Sequence, residues 1–139
     1  MPEVRIHAFE TFAGEAQTLL LVTQRILDAM YAGDSEAYAA LVAEDVSSFE
    51  PYIAPYRIDG LPFHLDLIAS GGNGNVSRLD LLTPRVQVYG NAGVVTYTLL
   101  KTTLSLDEPP VFQSMNEARV FAKIDGNWKM VHLHKSPAA

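Results

Sequence analysis

The chain has 139 residues, 48% of them hydrophobic and 19% charged, with a formal net charge of −6 and no cysteine. That length suits one domain that buries a core without disulfides or a structural metal; the excess of 16 acidic over 10 basic residues, with no basic cluster, sets aside nucleic acid as a partner. Thiol nucleophiles and thiolate metal sites are excluded. With no leader-type N-terminus and no run of about 18 apolar residues, a soluble, cytoplasmic protein without a membrane partner is expected. The apolar share exceeds what a small monomer needs, which anticipates a face buried against another subunit.

Residues 1–14 read as an N-terminal arm and 15–139 as a single domain. From Glu15 to Ala32, Leu19, Val22, Ile26 and Met30 fall on one helical stripe, widened by Leu20, Leu27 and Tyr31. Gly33 supplies a C-terminal stop and Asp34 an N-cap for a short second helix through Ala43, with Tyr38, Leu41 and Val42 at helical spacing. "DVSSFEP" predicts a short strand ending at Pro51, and residues 52–60 a loop. Pro62 opens a third helix with Phe63, Leu67 and Ile68 on its inner side, followed by a turn at "GGNGN". Four long antiparallel strands complete the chain: 75–90, with a bulge expected around Pro84, then 94–106, 111–124 and, after the Asp125–Gly126 turn, 127–135. The order predicts an α+β fold, a layer of helices on one face of a curved sheet enclosing a conical cavity.

Strand alternation sorts the polar residues. Met115, Glu117, Arg119, Phe121 and Lys123 share one face, so Glu117 and Arg119 meet either as a structural ion pair or as the polar end of a pocket. Tyr97, Leu99 and Lys101 share the inner face of the preceding strand, and an arginine fork beside a tyrosine hydroxyl suits an anionic ligand. In the last strand Val131, Leu133 and Lys135 should face the cavity, with Met130, His132 and His134 pointing away. Two histidines at i and i+2 can ligate a metal, but no HExxH, Asp-rich or Cys/His cluster accompanies them, and no metal is expected. His64, on the third helix, reads as a helix residue reaching a backbone or pocket partner, or as a general base. Glu50 orients a loop or pairs with a pocket arginine. Asp66 and Asp80 default to solvated surface. Ser136 has no GxSxG elbow, and the glycine-rich turn has no GK[ST].

Six short motifs occur in register: "FEP" (Phe49, Glu50, Pro51), "GLPFH" ending at His64, "TPRV" around Pro84, "EARVF" around Arg119, "DGNWKMVH" from Asp125, and "HLHKS". Over roughly Leu19 to Pro137 the chain resembles the association, or hub, domain of calcium/calmodulin-dependent protein kinase II. That family sits in the nuclear-transport-factor-2-like (cystatin-like) superfamily, so the resemblance implies a cone-shaped antiparallel sheet wrapped around a long N-terminal helix. It also implies self-assembly into dimers and closed rings of dimers, dodecamers or tetradecamers, and a pocket of arginines and a histidine that accepts a small carboxylate or peptide tail. The family's pocket histidine matches His64 and its strand arginine Arg119. Its last pocket arginine matches Lys135, a point charge in place of a fork. Its middle-strand arginine falls at Leu99, and its tryptophan near Gly71 or Gly72. The expected ligand site is therefore Arg119, His64, Tyr97, Lys135, Glu117 and Glu50, with His132 and His134 at a subunit interface and no cofactor. With no kinase segment in view, a free-standing, non-enzymatic hub-like protein is expected. The alternative is a cofactor-independent isomerase, cyclase or dehydratase with His64 as base and Tyr97 as proton donor.

Overall fold

The computed structural model describes residues 4–70 and 75–139, so most of the expected glycine-rich turn lies outside the described residues. In chain order the elements are β1 (Val4–His7), α1 (Gly14–Ala32), α2 (Ser35–Leu41), β2 (Val42–Phe49), β3 (Ile58–Asp59), α3 (Leu61–Ala69), β4 (Arg78–Tyr89), β5 (Ala92–Thr103), β6 (Val111–Ile124) and β7 (Asn127–Pro137). One curved seven-stranded sheet runs β1-β4-β5-β6-β7-β2-β3. Pairing is antiparallel except for β1 with β4 and β2 with β7. No helix of the described residues is long and apolar enough to cross a membrane.

The expected stripe of α1 is its buried face, and it forms the core with Leu79, Leu81, Val95, Leu99 and Phe121 from the sheet. Gly93 permits that contact: a Cβ there would collide with Leu19 Cδ1, so the absence of a side chain sets how closely α1 approaches β5. Gly33 ends α1 with a left-handed φ of 69°, its N–H turned back to the Ala29 and Met30 carbonyls. Asp34 then caps α2, its carboxylate accepting from Ala37 N at 3.0 Å. The bulge expected around Pro84 is present. Register shifts between Leu82 and Arg85, Thr83 takes φ 49°, and the inward positions pass from Leu79 and Leu81 to Val86 and Val88.

Several expectations are corrected. The arm contains β1, too short for its alternation to stand out, with Val4 buried and Ile6 packed on the core. Val42 opens β2 and does not end α2: Val42, Ala43 and Val46 are buried in or beside the sheet, and Tyr38 is the one buried residue of α2. The expected loop 52–60 carries the two-residue β3, paired to Ser47 and Ser48. On α3 the buried side is His64 and Ile68, flanked by Leu61 and Leu65, while Phe63 is 48% exposed. Asp80 is not solvated surface. It is 5% exposed, bound by Arg78 (2.8 and 3.1 Å) and by His7 Nε2 (2.7 Å), so it ties β1 to the sheet edge. These contacts, Arg78 first, hold its carboxyl below the ordinary range.

Met130 is the instructive correction. Val120 pairs with His132 and Phe121 with Met130, so Val131 is an extra residue in β7. That one-residue bulge turns Met130, expected outside, into the core beside Phe121, while leaving Leu133 inside and His134 exposed.

Candidate functional site

Two polar groups lie on the inner face of the sheet, at different depths. The deeper is Arg119, 0% exposed. Its Nε donates to Tyr97 Oη (2.7 Å) and its Nη2 to Glu117 Oε1 (3.3 Å), while Tyr97 Oη donates to the same Glu117 oxygen (2.6 Å). Two methionine sulfurs complete the guanidinium's surroundings, Met130 Sδ at 3.2 Å and Met30 Sδ at 3.7 Å. Sequence placed these residues together because Tyr97 and Glu117 are directly paired across β5 and β6, with Arg119 two residues on. Burial opposes the charge on Arg119, but Tyr97 and Glu117 outweigh it and hold the guanidinium protonated. Burial, with Glu117 accepting its hydrogen bond, pushes the Tyr97 phenol well up.

The shallower group surrounds a cavity of about 280 Å³ between α1, α2, α3 and the sheet, near the small end of small-molecule sites. Met30, Tyr31 and Tyr38 line it from the first two helices, His64, Leu67 and Ile68 from α3. Lys101, Met115 and Lys135 come from the strands, and Glu50 with Pro51, Tyr52 and Ile53 from the turn after β2. Of the residues expected at a ligand site, His64, Lys135 and Glu50 line this cavity. Arg119, Tyr97 and Glu117 are not in its lining and engage one another behind it.

Glu50 is the pivot of the wall. The inward alternation of Val46 and Ser48 in β2 continues to Glu50 just after it, and Ile53 N and Ala54 N donate to the Glu50 carbonyl, so the residue also shapes its turn. Its partner is Lys135 (3.1 Å), a lysine where an arginine was one expectation. Burial works against the Glu50 carboxylate, yet Lys135, the 2.8 Å bond from Ser48 and the nearby His64 together hold its pKa below the ordinary range. His64 Nδ1 donates to the Gly60 carbonyl (2.8 Å), and Nε2 stands 2.9 Å from Ser48 Oγ and 3.9 Å from Glu50. Both ring nitrogens are thus engaged within the protein. Ser48 is fully buried and outside the cavity lining, so its contact with His64 is a structural relay and not an exposed nucleophile.

The residue that sequence reasoning passed over is Lys101. It shares the inner face with Tyr97 and Leu99, which was visible, but with no partner spacing to mark it. The cavity gives it a role, its Nζ standing 5.8 Å from the centroid of the Tyr31 ring.

Outside the sheet, His132 Nδ1 contacts Ser47 Oγ (2.8 Å), and Phe49 packs against His132 and His134 with ring centroids 5.9 and 5.3 Å apart. Phe49, His134, Glu50 and Lys135 border a groove of about 300 Å³, so the Glu50–Lys135 pair faces both the inner cavity and the outer groove. Among the described residues no three His, Asp or Glu side chains gather into a metal-holding group.

Comparison with known proteins places this geometry. Residues 15–139 match the model of the calcium/calmodulin dependent protein kinase II association domain. The chain is 31% identical over 125 residues to calcium/calmodulin-dependent protein kinase type II of Caenorhabditis elegans, covering 89% of this chain and 17% of that relative. The fold superposes on the S. rosetta kinase II hub with a TM-score of 0.78 at 30% identity, covering 92% of this chain and all of that one. A nuclear transport factor 2-like superfamily protein from Salmonella enterica shares the fold at 23% identity and a TM-score of 0.72, covering 89% of this chain and 91% of its own.

Proposed function

We propose that this chain, which belongs to the calcium/calmodulin dependent protein kinase II association domain family, is a self-assembling hub whose inner cavity holds a small carboxylate. The observation that carries the reading is the family match through residues 15–139, which includes the outer sheet face with Phe49, His132 and His134 and the inner wall with Lys135 and Lys101. An apolar and imidazole-bearing surface next to a parallel β2–β7 pair is suited to a two-fold contact with a second copy, and closed rings of such dimers, dodecamers or tetradecamers, follow the family pattern. The cavity supports an anion because its two lysines outnumber its one carboxylate, and because two tyrosines, Tyr31 and Tyr38, also line it. His132 and His134 serve assembly in this reading, and His64 orients Ser48 and Glu50. No observation favours catalysis by His64 and Tyr97, whose polar atoms are engaged in separate networks.

Light scattering tests the assembly. A particle many times the 15.2 kDa protomer is expected, reduced in mass by Phe49→Glu together with His134→Glu; a stable monomer at micromolar concentration overturns it. Calorimetry with benzoate as the probe tests the cavity. Binding that is lost in Lys135→Met is expected, and no heat of binding at millimolar benzoate removes the carboxylate reading.

A further inference from the structure

The chain has four lysines, and three of them are committed. Lys123 pairs with Glu15 at 2.6 Å, Lys129 donates to the Ala40 carbonyl, and Lys135 pairs with Glu50. Lys101 has no carboxylate within ion-pair distance among the described residues. It is half-buried in the cavity wall, flanked across the sheet by Leu79 and Gln113, with its ammonium over the Tyr31 ring. The charged and titratable groups around it are Tyr31 from α1, Tyr38 from α2, Glu117 from β6, Lys135 from β7, Glu50 after β2 and His64 from α3. A lysine serves as a nucleophile when burial or a second cation makes its neutral form accessible; Lys101 is half-buried and shares the cavity wall with Lys135.

We propose that Lys101 is an amine nucleophile that condenses with the carbonyl carbon of a small aldehyde or ketone carrying a carboxylate. The choice of a carboxylate-bearing substrate rests on the cavity reading above; the nucleophile does not. The Nζ lone pair forms the C–N bond as the carbonyl π bond opens, giving a carbinolamine. Its oxygen then leaves as water with the two protons of the neutral amine, and C=N remains; no oxidant or reductant enters. Tyr31 and Tyr38 line the same cavity, and in the proposed step one of their phenols donates to the departing oxygen. Burial keeps both phenols protonated, that of Tyr38 pushed up to about 12. Burial and then the Lys135 ammonium hold the Lys101 pKa below the ordinary amine value, with Glu117 acting in the opposite sense.

The full chain is incubated at neutral pH with propanal or with glyoxylate, imines are trapped with cyanoborohydride, and peptide mapping compares the four lysines in one sample. Lys101 should be trapped severalfold faster than Lys123 and Lys129, with glyoxylate preferred to propanal. Lys135→Met should move the half-maximal pH for Lys101 trapping upward. If propanal traps Lys101 no faster than Lys129, the nucleophile is overturned, whatever glyoxylate does. If Lys101 is fast with both probes and glyoxylate has no advantage, the nucleophile stands and the carboxylate-bearing substrate falls. The comparison is internal to the unmodified protein, so it does not depend on any variant folding.

Discussion

Arg119 and Lys101 are both cations on the inner face of adjacent strands, yet they have opposite settings. Arg119, at the closed end, meets Tyr97, Glu117 and two sulfurs, so its charge is answered on every side. Lys101, half-buried in the cavity wall, has a ring face under its ammonium and shares that wall with a second lysine. The difference teaches how burial treats a cation: at Arg119 the fold supplies a carboxylate and a phenol, whereas at Lys101, among the described residues, it supplies no carboxylate within ion-pair distance.

The largest test of that contrast is Arg119→Met. It leaves the Glu117 carboxylate buried without its cation, and urea unfolding should show a loss of about 3–5 kcal/mol. Adding Glu117→Gln should recover part of the loss. Glu50→Gln stands between the extremes, because Glu50 is buried but its partner Lys135 borders the cavity; a loss of about 1–3 kcal/mol is expected. Its sign with pH follows from linkage. The folded carboxyl lies below its unfolded value of 4.5, so its stabilisation is complete above that value and is lost as pH falls through the folded one. The urea midpoint of the wild type should therefore drop on acidification below 4.5, and that limb should flatten in Glu50→Gln. The smallest effect belongs to Lys101→Met. Removing a half-buried charge without a carboxylate partner should leave stability unchanged or raise it by up to about 1 kcal/mol, while abolishing the fast trapping site. A loss comparable to Arg119→Met would erase the distinction between the two ends.

Much of the architecture was legible because it rests on long periodic segments. The stripe of α1, the Gly33 stop, the Asp34 cap and the bulge near Pro84 each have a local signature, and the paired faces of β5 and β6 followed from period-two alternation. What was hidden lacks such a signature. β1 and β3 are too short to show a pattern. Val42 fits a helical stripe and a strand equally, and pairing with β7 decides. Asp80 reads as surface until Arg78 and His7 are found around it. Depth was hidden as well: alternation assigns Arg119 and Lys135 to the same side, but which of them borders open space depends on helices arriving from elsewhere in the chain.

The single inserted residue at Val131 works as a two-position key. Before it, β7 presents Trp128 and Met130 to the interior; after it, Leu133 takes that direction and His134 looks out beside Phe49. A chain that kept all of these residues but straightened the bulge, with its turn end fixed, would have to turn His132 and His134 inward and Leu133 outward. Outer groove and inner cavity thus draw on the two faces of one eleven-residue strand, set apart by one peptide unit.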